Sequence, residues 1–202
     1  MQNLTDLWYK IKYYNSIIKD FKIERNECHY KNDFINYICE QKNIDDVIKI
    51  SAMSRDRNNK IFPHQERVYT ISLINYTQSL LDVKNKIKKV KTFEKLYNIL
   101  FDNKVSGIGD LTCYDIAMRI GQYLDIFPDY IYIHSGTKIG LENLLNKKIK
   151  DVYIKKEELP EPFCNCNLIP IQLEDLLCHF KDKLNYEKYI NDTKKGGFNF
   201  EK

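Results

Sequence analysis

"VSGIGDLTCYDIAMRIG", residues 105–121, sets two glycines one residue apart ahead of an apolar-periodic run, in a chain of 202 residues that has only seven glycines. Beyond the glycines, Cys113, Ile116, Ala117, Ile120 and Leu124 recur at helical spacing, which predicts a helix with one apolar face. Asp115 and Arg119 stand i, i+4 and are expected to pair on the other face. Upstream, "TFEKLYNILFDN" (92–103) puts Phe93, Leu96, Tyr97, Leu100 and Phe101 on one helical stripe behind a Thr92 able to cap it. Two amphipathic helices with so short a joint make a helical hairpin.

Glycine in such a joint takes positive φ without strain and lets another molecule approach the backbone closely. Successive N–H groups, together with the start of the following helix, form an anion site for which a phosphate is the natural occupant. The same glycines also fit a tight turn that serves the fold alone.

The stretch resembles the turn of helix-hairpin-helix DNA-binding proteins, in which a hydrophobic-x-Gly-hydrophobic-Gly run is often followed by a Thr-Ala pair opening the second helix. Val105, Gly107, Ile108, Gly109 and Thr112 match that pattern, and Cys113 stands where the small residue is found. The resemblance covers residues 92–124. It implies a phosphate-contacting set of Lys104, Gly107, Ile108, Gly109 and Thr112, double-stranded DNA as partner, and recognition blind to base sequence.

Within that class, the helix-hairpin-helix DNA glycosylases are the catalytic relatives that the resemblance implies. Members that also cleave the strand carry a lysine where this chain has Leu111, so a Schiff-base lyase is not expected. At the family's spacing for its catalytic aspartate lies Asp129, whereas the family's local context, an apolar run entering a polar helix start, falls on His134. These are the two candidate catalytic residues. A histidine can act as a base near neutral pH but cannot supply a carboxylate's charge. The expectation is therefore a protein that holds DNA, with glycosylase-like repair or processing as its possible chemistry and a non-enzymatic nucleic-acid-binding or protein-interaction module as the alternative.

Around the hairpin the chain reads as mainly α, a compact helical domain with little or no β structure. "LTDLWYKIKYYNSIIKDF" (4–21) carries Leu7, Trp8, Ile11, Ile18 and Phe21 on an expected core face. Helices are predicted over 33–42 and 44–53, and "SRDRNNK" (54–60) reads as a polar loop. Pro63 suits the first turn of a new helix. "DVKNKIKKVK" (82–91) is either a solvated face or a surface for nucleic acid. "YIYI" (130–133) has strand composition, and residues 151–170 read as a connection or extended arm. "LEDLLCHFKDKLNYEKYI" (173–190) predicts a last helix and "TKKGGFNFEK" (193–202) a tail. By sequence order the divisions are 1–91, 92–150 and 151–202.

Two polar clusters are candidate pockets. One is Ser135, Thr137 and Lys138 beside His134, where Ser135 or Thr137 also suits a helix cap. The other is His64, Gln65 and Arg67 in "FPHQERV", where a local structural role competes. Cys164, Cys166, Cys178 and His179 are conceivable zinc ligands, but Cys-x-Cys and an adjacent Cys-His pair fit one centre poorly. No metal and no cofactor is expected, since the Walker, Gly-x-Gly-x-x-Gly, His-Glu-x-x-His and Gly-x-Ser-x-Gly patterns are absent.

The composition, with 43% hydrophobic and 30% charged residues, is that of an ordinary globular chain. The net charge of +4, from 32 basic and 28 acidic residues, permits a polyanionic partner without demanding one. No apolar run approaches the roughly 20 residues of a membrane helix, and the first residues lack a secretory core. With six scattered cysteines, this predicts reduced thiols and a cytoplasmic or nucleoid-associated location.

Overall fold

The computed structural model describes residues 4–27 and 29–195, with the backbone alone at 26, 27, 29–32, 194 and 195. Cys28 and the end of the expected tail from Gly196 onward lie outside the described residues. The protein is mainly α. Ten helices run α1 Leu4–Glu27, α2 His29–Cys39, α3 Ile44–Met53, α4 Thr70–Asp82, α5 Lys84–Ile87, α6 Phe93–Asp102, α7 Asp110–Leu124, α8 Ser135–Leu145, α9 Pro170–His179 and α10 Tyr186–Lys195 among the described residues. The short strands β1 (Ile131–Tyr132) and β2 (Tyr153–Ile154) pair antiparallel, Ile131 opposite Ile154. The strand composition of 130–133 is thus realised as a minimal sheet.

The chain folds into two units. One comprises residues 1–27 and 129–202, the other residues 28–128. The sequence-order divisions cut across them, because α1 joins the C-terminal helices through side chains that carry no local signal of their partner. In the first unit Tyr14, Ile17, Ile18 and Phe21 of α1 pack with Leu141, Leu144, Leu173, Leu177 and Phe180. Leu7 and Trp8 are not part of this core. Trp8 is 56% exposed and Leu4 82%. α8 lies against α9 so closely that a Cβ on Gly140 would collide with the Leu177 backbone.

In the second unit α7 is enclosed nearly all round, with Thr112, Cys113, Tyr114, Ile116, Ala117, Arg119, Ile120 and Gly121 buried. It packs on α2, α3 and α6. Asn43 caps α3 by accepting from the Asp46 amide, and Thr92 caps α6 from Lys95 as its position predicts. Other boundaries differ from expectation. α2 ends at Cys39 rather than continuing to 42. Pro63 opens only a single 3-10 turn, Pro63–Gln65, and the next helix waits until Thr70. The predicted last helix is broken after His179 by a turn at Lys181–Lys183 before α10 begins.

Candidate functional site

The joint between α6 and α7 contains two glycines of different character. Gly107 has φ +86, and a Cβ there would collide with Ser72 Oγ on α4. Both facts demand glycine for the fold. Gly109 has φ −88 and ψ 168, ordinary extended backbone, and a Cβ on it would meet nothing within 4 Å. It is the N-cap of α7 and supplies no side-chain cap, so no side chain of the N-cap occupies the leading amides, where Ser, Asp or Asn would.

The rest of the expected phosphate set is less open. The Ile108 amide donates to the Val105 carbonyl at 3.1 Å, and the Ile108 side chain is buried. Thr112 is also buried. Lys104 Nζ lies 2.7 Å from Asp110 Oδ1 and 3.6 Å from the Phe101 ring centroid, so the turn's own cation is already paired. In the basic stretch Ile87 is buried and Lys84 pairs with Asp45 at 2.5 Å, whereas Lys86, Lys88, Lys89 and Lys91 are exposed. That stretch follows the end of α4, and Ser72 at the turn is in the first part of the same helix. At 1.5 Å per residue the two stand about 15 Å apart along it.

The best-built polar cluster in the second unit surrounds Arg119. The residue is only 8% exposed. Nη1 donates to the Ser51 carbonyl at 3.0 Å and to Ser54 Oγ at 2.6 Å, and Nη2 donates to Gln65 Oε1 at 2.8 Å. Phe62 and Phe34 lie with ring centroids 4.8 and 5.4 Å from the cation. Burial lowers the Arg119 pKa to about 10, against the opposing pull of Asp115.

Asp115 Oδ2 accepts from Gln65 Nε2 at 2.7 Å and lies 3.1 Å from His64 Nδ1. Burial would raise its pKa, but the His64 bond, the Arg119 charge and the Gln65 bond together hold it below the usual carboxylate value. The side chain of Asp115 is 17% exposed and that of His64 63%. Asp115 and Arg119 therefore do not pair on a solvated face. They share an interior face with the 51–65 segment, and Arg67 stands exposed outside the cluster.

Asp129 and His134 belong to the first unit, and the glycine turn belongs to the second. Asp129 is exposed. His134 is the half-buried N-cap of α8, in place of the expected Ser135 or Thr137. Thr137 is fully buried and its hydroxyl donates to Glu174 Oε1 at 2.8 Å, while Ser135 and Lys138 are exposed. The cysteine and histidine candidates diverge. Cys178 Sγ faces Gly136, His179 Nε2 is 2.8 Å from Glu24 Oε2, and Cys166 Sγ donates to the Phe163 carbonyl. Among the described residues, no three metal-ligating side chains converge.

Ser51 and Ser54 were not expected at a site, whereas Gln65 stood beside His64 in the polar group "FPHQERV" and bridges Asp115 and Arg119. A second local signal was Arg119 itself, a cation enclosed in the apolar run "DIAMRIG" that the i, i+4 spacing turned outward. Compared with known proteins, the chain matches no family model, no curated protein and no solved structure.

Proposed function

We propose that the protein binds a nucleic-acid backbone, duplex DNA in the first instance, through the glycine turn at the start of α7. The observation that carries this reading is the contrast between the glycines. The fold requires Gly107, but it requires nothing of Gly109, at a helix start where a capping side chain would add about 1 kcal/mol. A bare N-cap leaves room for an oxygen of a phosphate to approach the first amides of α7, and the helix dipole favours that charge. The reading is of sequence-blind holding. Leu111, where the resemblance would put a lyase lysine, gives strand cleavage no support.

The contrast also selects the test. Gly107→Ala is a poor probe, since a left-handed residue at that φ costs about 1–2 kcal/mol before the Ser72 collision is counted. Gly109→Asp places a carboxylate at the proposed phosphate position without entering occupied space, and as an N-cap it should hold or raise the melting temperature. Affinity for a duplex, followed by fluorescence anisotropy, should fall linearly in log–log form with salt for the wild type. It should drop at least about tenfold in Gly109→Asp, by analogy with a lost charge-assisted contact. A folded Gly109→Asp protein with wild-type affinity would overturn the turn as the contact.

A further inference from the structure

The two-stranded sheet of the first unit has two unlike faces. Its register sets Ile131 opposite Ile154 and Tyr132 opposite Tyr153, so alternation puts the isoleucines on one side and the tyrosines on the other. Ile131 belongs to the buried core, and Ile133 and Ile154 pack against it. On the other face the Tyr130 and Tyr132 ring centroids lie 4.7 and 6.2 Å from that of Tyr153, with the Tyr130 plane inclined by 31°. Tyr132 is buried, whereas Tyr153 is 48% exposed. Tyr130 covers one side of the Tyr153 ring, and the half of the residue left open is a flat aromatic surface.

The charge beside this surface is of one sign. Residues 146–156, "NKKIKDVYIKK", hold five lysines and one aspartate. Lys148 pairs with Glu142 at 3.2 Å, and Lys156 Nζ donates to the Cys166 carbonyl. Lys147, Lys150 and Lys155 are exposed, and among the described residues none of the three forms an ion pair. The Glu158 carboxylate near Lys155 accepts from the Lys155 backbone amide at 2.9 Å, and Asp151 is the one acid within the stretch. Lys155 continues the extended backbone of β2, with φ −78 and ψ 149, and stands two positions beyond Tyr153, on the same strand face. Lys150 is three positions before Tyr153, at most about 10 Å from it.

An open aromatic ring flanked by uncompensated ammonium groups matches a nucleic-acid strand whose bases are unpaired. In a duplex the base faces are closed inside the stack and offer the ring nothing. We propose that the tyrosine face of the β1–β2 sheet binds single-stranded nucleic acid, with one base stacked on Tyr153 and the neighbouring phosphates held by Lys150 and Lys155. Stacking uses the face of the base and not its edge, so binding tolerates sequence. It does not depend on the glycine turn, which belongs to the second unit.

The test measures affinity of the full chain for a labelled oligothymidylate of about 12 nucleotides, by fluorescence anisotropy over roughly 50–200 mM salt. Tyr153→Ala should weaken binding at least about fivefold, the lower end for loss of one base–aromatic stack. Tyr153→Ile keeps a strand-favouring side chain without a flat face and should lose as much, whereas Tyr153→Trp should keep the affinity. Lys150→Gln and Lys155→Gln should each flatten the log–log salt slope by about 0.7, the increment of one phosphate on a single strand. Heparin, a polyanion without bases, should be indifferent to Tyr153→Ala, and so should the duplex.

A ring that serves only the sheet would alter melting temperature but not separate Trp from Ile in affinity. Wild-type affinity in folded Tyr153→Ala and Tyr153→Ile proteins, equal losses for heparin and oligothymidylate, or no binding of oligothymidylate by wild type would each overturn the Tyr153 site. Any of these with duplex binding still sensitive to Gly109→Asp would leave the turn standing. Single-strand binding that depends on Tyr153 in a protein indifferent to Gly109→Asp would uphold the sheet face and overturn the turn alone.

Discussion

At the residue scale, Arg119 is a case where the chemical nature of the side chain decides the architecture. A planar guanidinium reaches the Ser51 carbonyl, Ser54 Oγ and Gln65 Oε1 at once and lies over the rings of Phe34 and Phe62. A lysine ammonium has neither the fork nor the flat faces. The buried charge is tolerated because Asp115 and the acceptors compensate it. Asp115 in turn makes stability depend on acid. Its folded pKa lies below the unfolded value near 3.9, so its contribution is complete above that value and is lost as pH falls through the folded pKa. Asp115→Asn should flatten the acid limb of a plot of unfolding free energy against pH, measured by urea titration. An acid limb unchanged in the variant would remove Asp115 from the account. This pairing was half legible. The i, i+4 spacing of Asp115 and Arg119 was visible, but which face of the helix turns inward depends on partners 50 and more positions away, and no local pattern reports them.

At the element scale, α1 and α7 depart from the amphipathic picture in opposite directions. α7 buries residues around most of its circumference because α2, α3 and α6 surround it. α1 buries only its later turns, through Tyr14, Ile17, Ile18 and Phe21, while Leu4, Leu7, Trp8 and Tyr9 remain exposed. Its apolar period continues past the point where packing stops, so the sequence predicted one uninterrupted core face. Truncation should separate the two halves. Phe21→Ala should cost about 3–5 kcal/mol, whereas Trp8→Ala should fall within about 0.5 kcal/mol of wild type, both read from chemical unfolding. Equal losses would mean that the exposed half is covered in solution. Caps were more legible than faces. Thr92 and the onset of α3 at Ile44 follow from side-chain chemistry within a few positions, but the break between α9 and α10 leaves no such mark.

At the scale of the whole molecule, the second unit is an uninterrupted stretch, residues 28–128, while the first is assembled from both ends of the chain. The second unit holds its own core, including Phe34, Val47, Ile48, Leu73, Tyr76, Leu80, Leu96, Leu100 and Ile116, together with the glycine turn and the Arg119 cluster. A fragment of residues 28–128 should unfold in one cooperative transition by circular dichroism, whereas a fragment of residues 1–27 alone, lacking the C-terminal helices that cover Ile18 and Phe21, should be largely unstructured. A non-cooperative melt of the 28–128 fragment would show that its core is incomplete. Helix content, the short joint between α6 and α7 and the cap at Thr92 were written in residues a few positions apart, because propensity, period and turn geometry are local. The discontinuous first unit, the inward turn of Arg119, the exposure of Trp8 and the freedom at Gly109 came only with the folded chain. Each depends on which distant surface lies against a given face, and burial is a property of that meeting rather than of either segment.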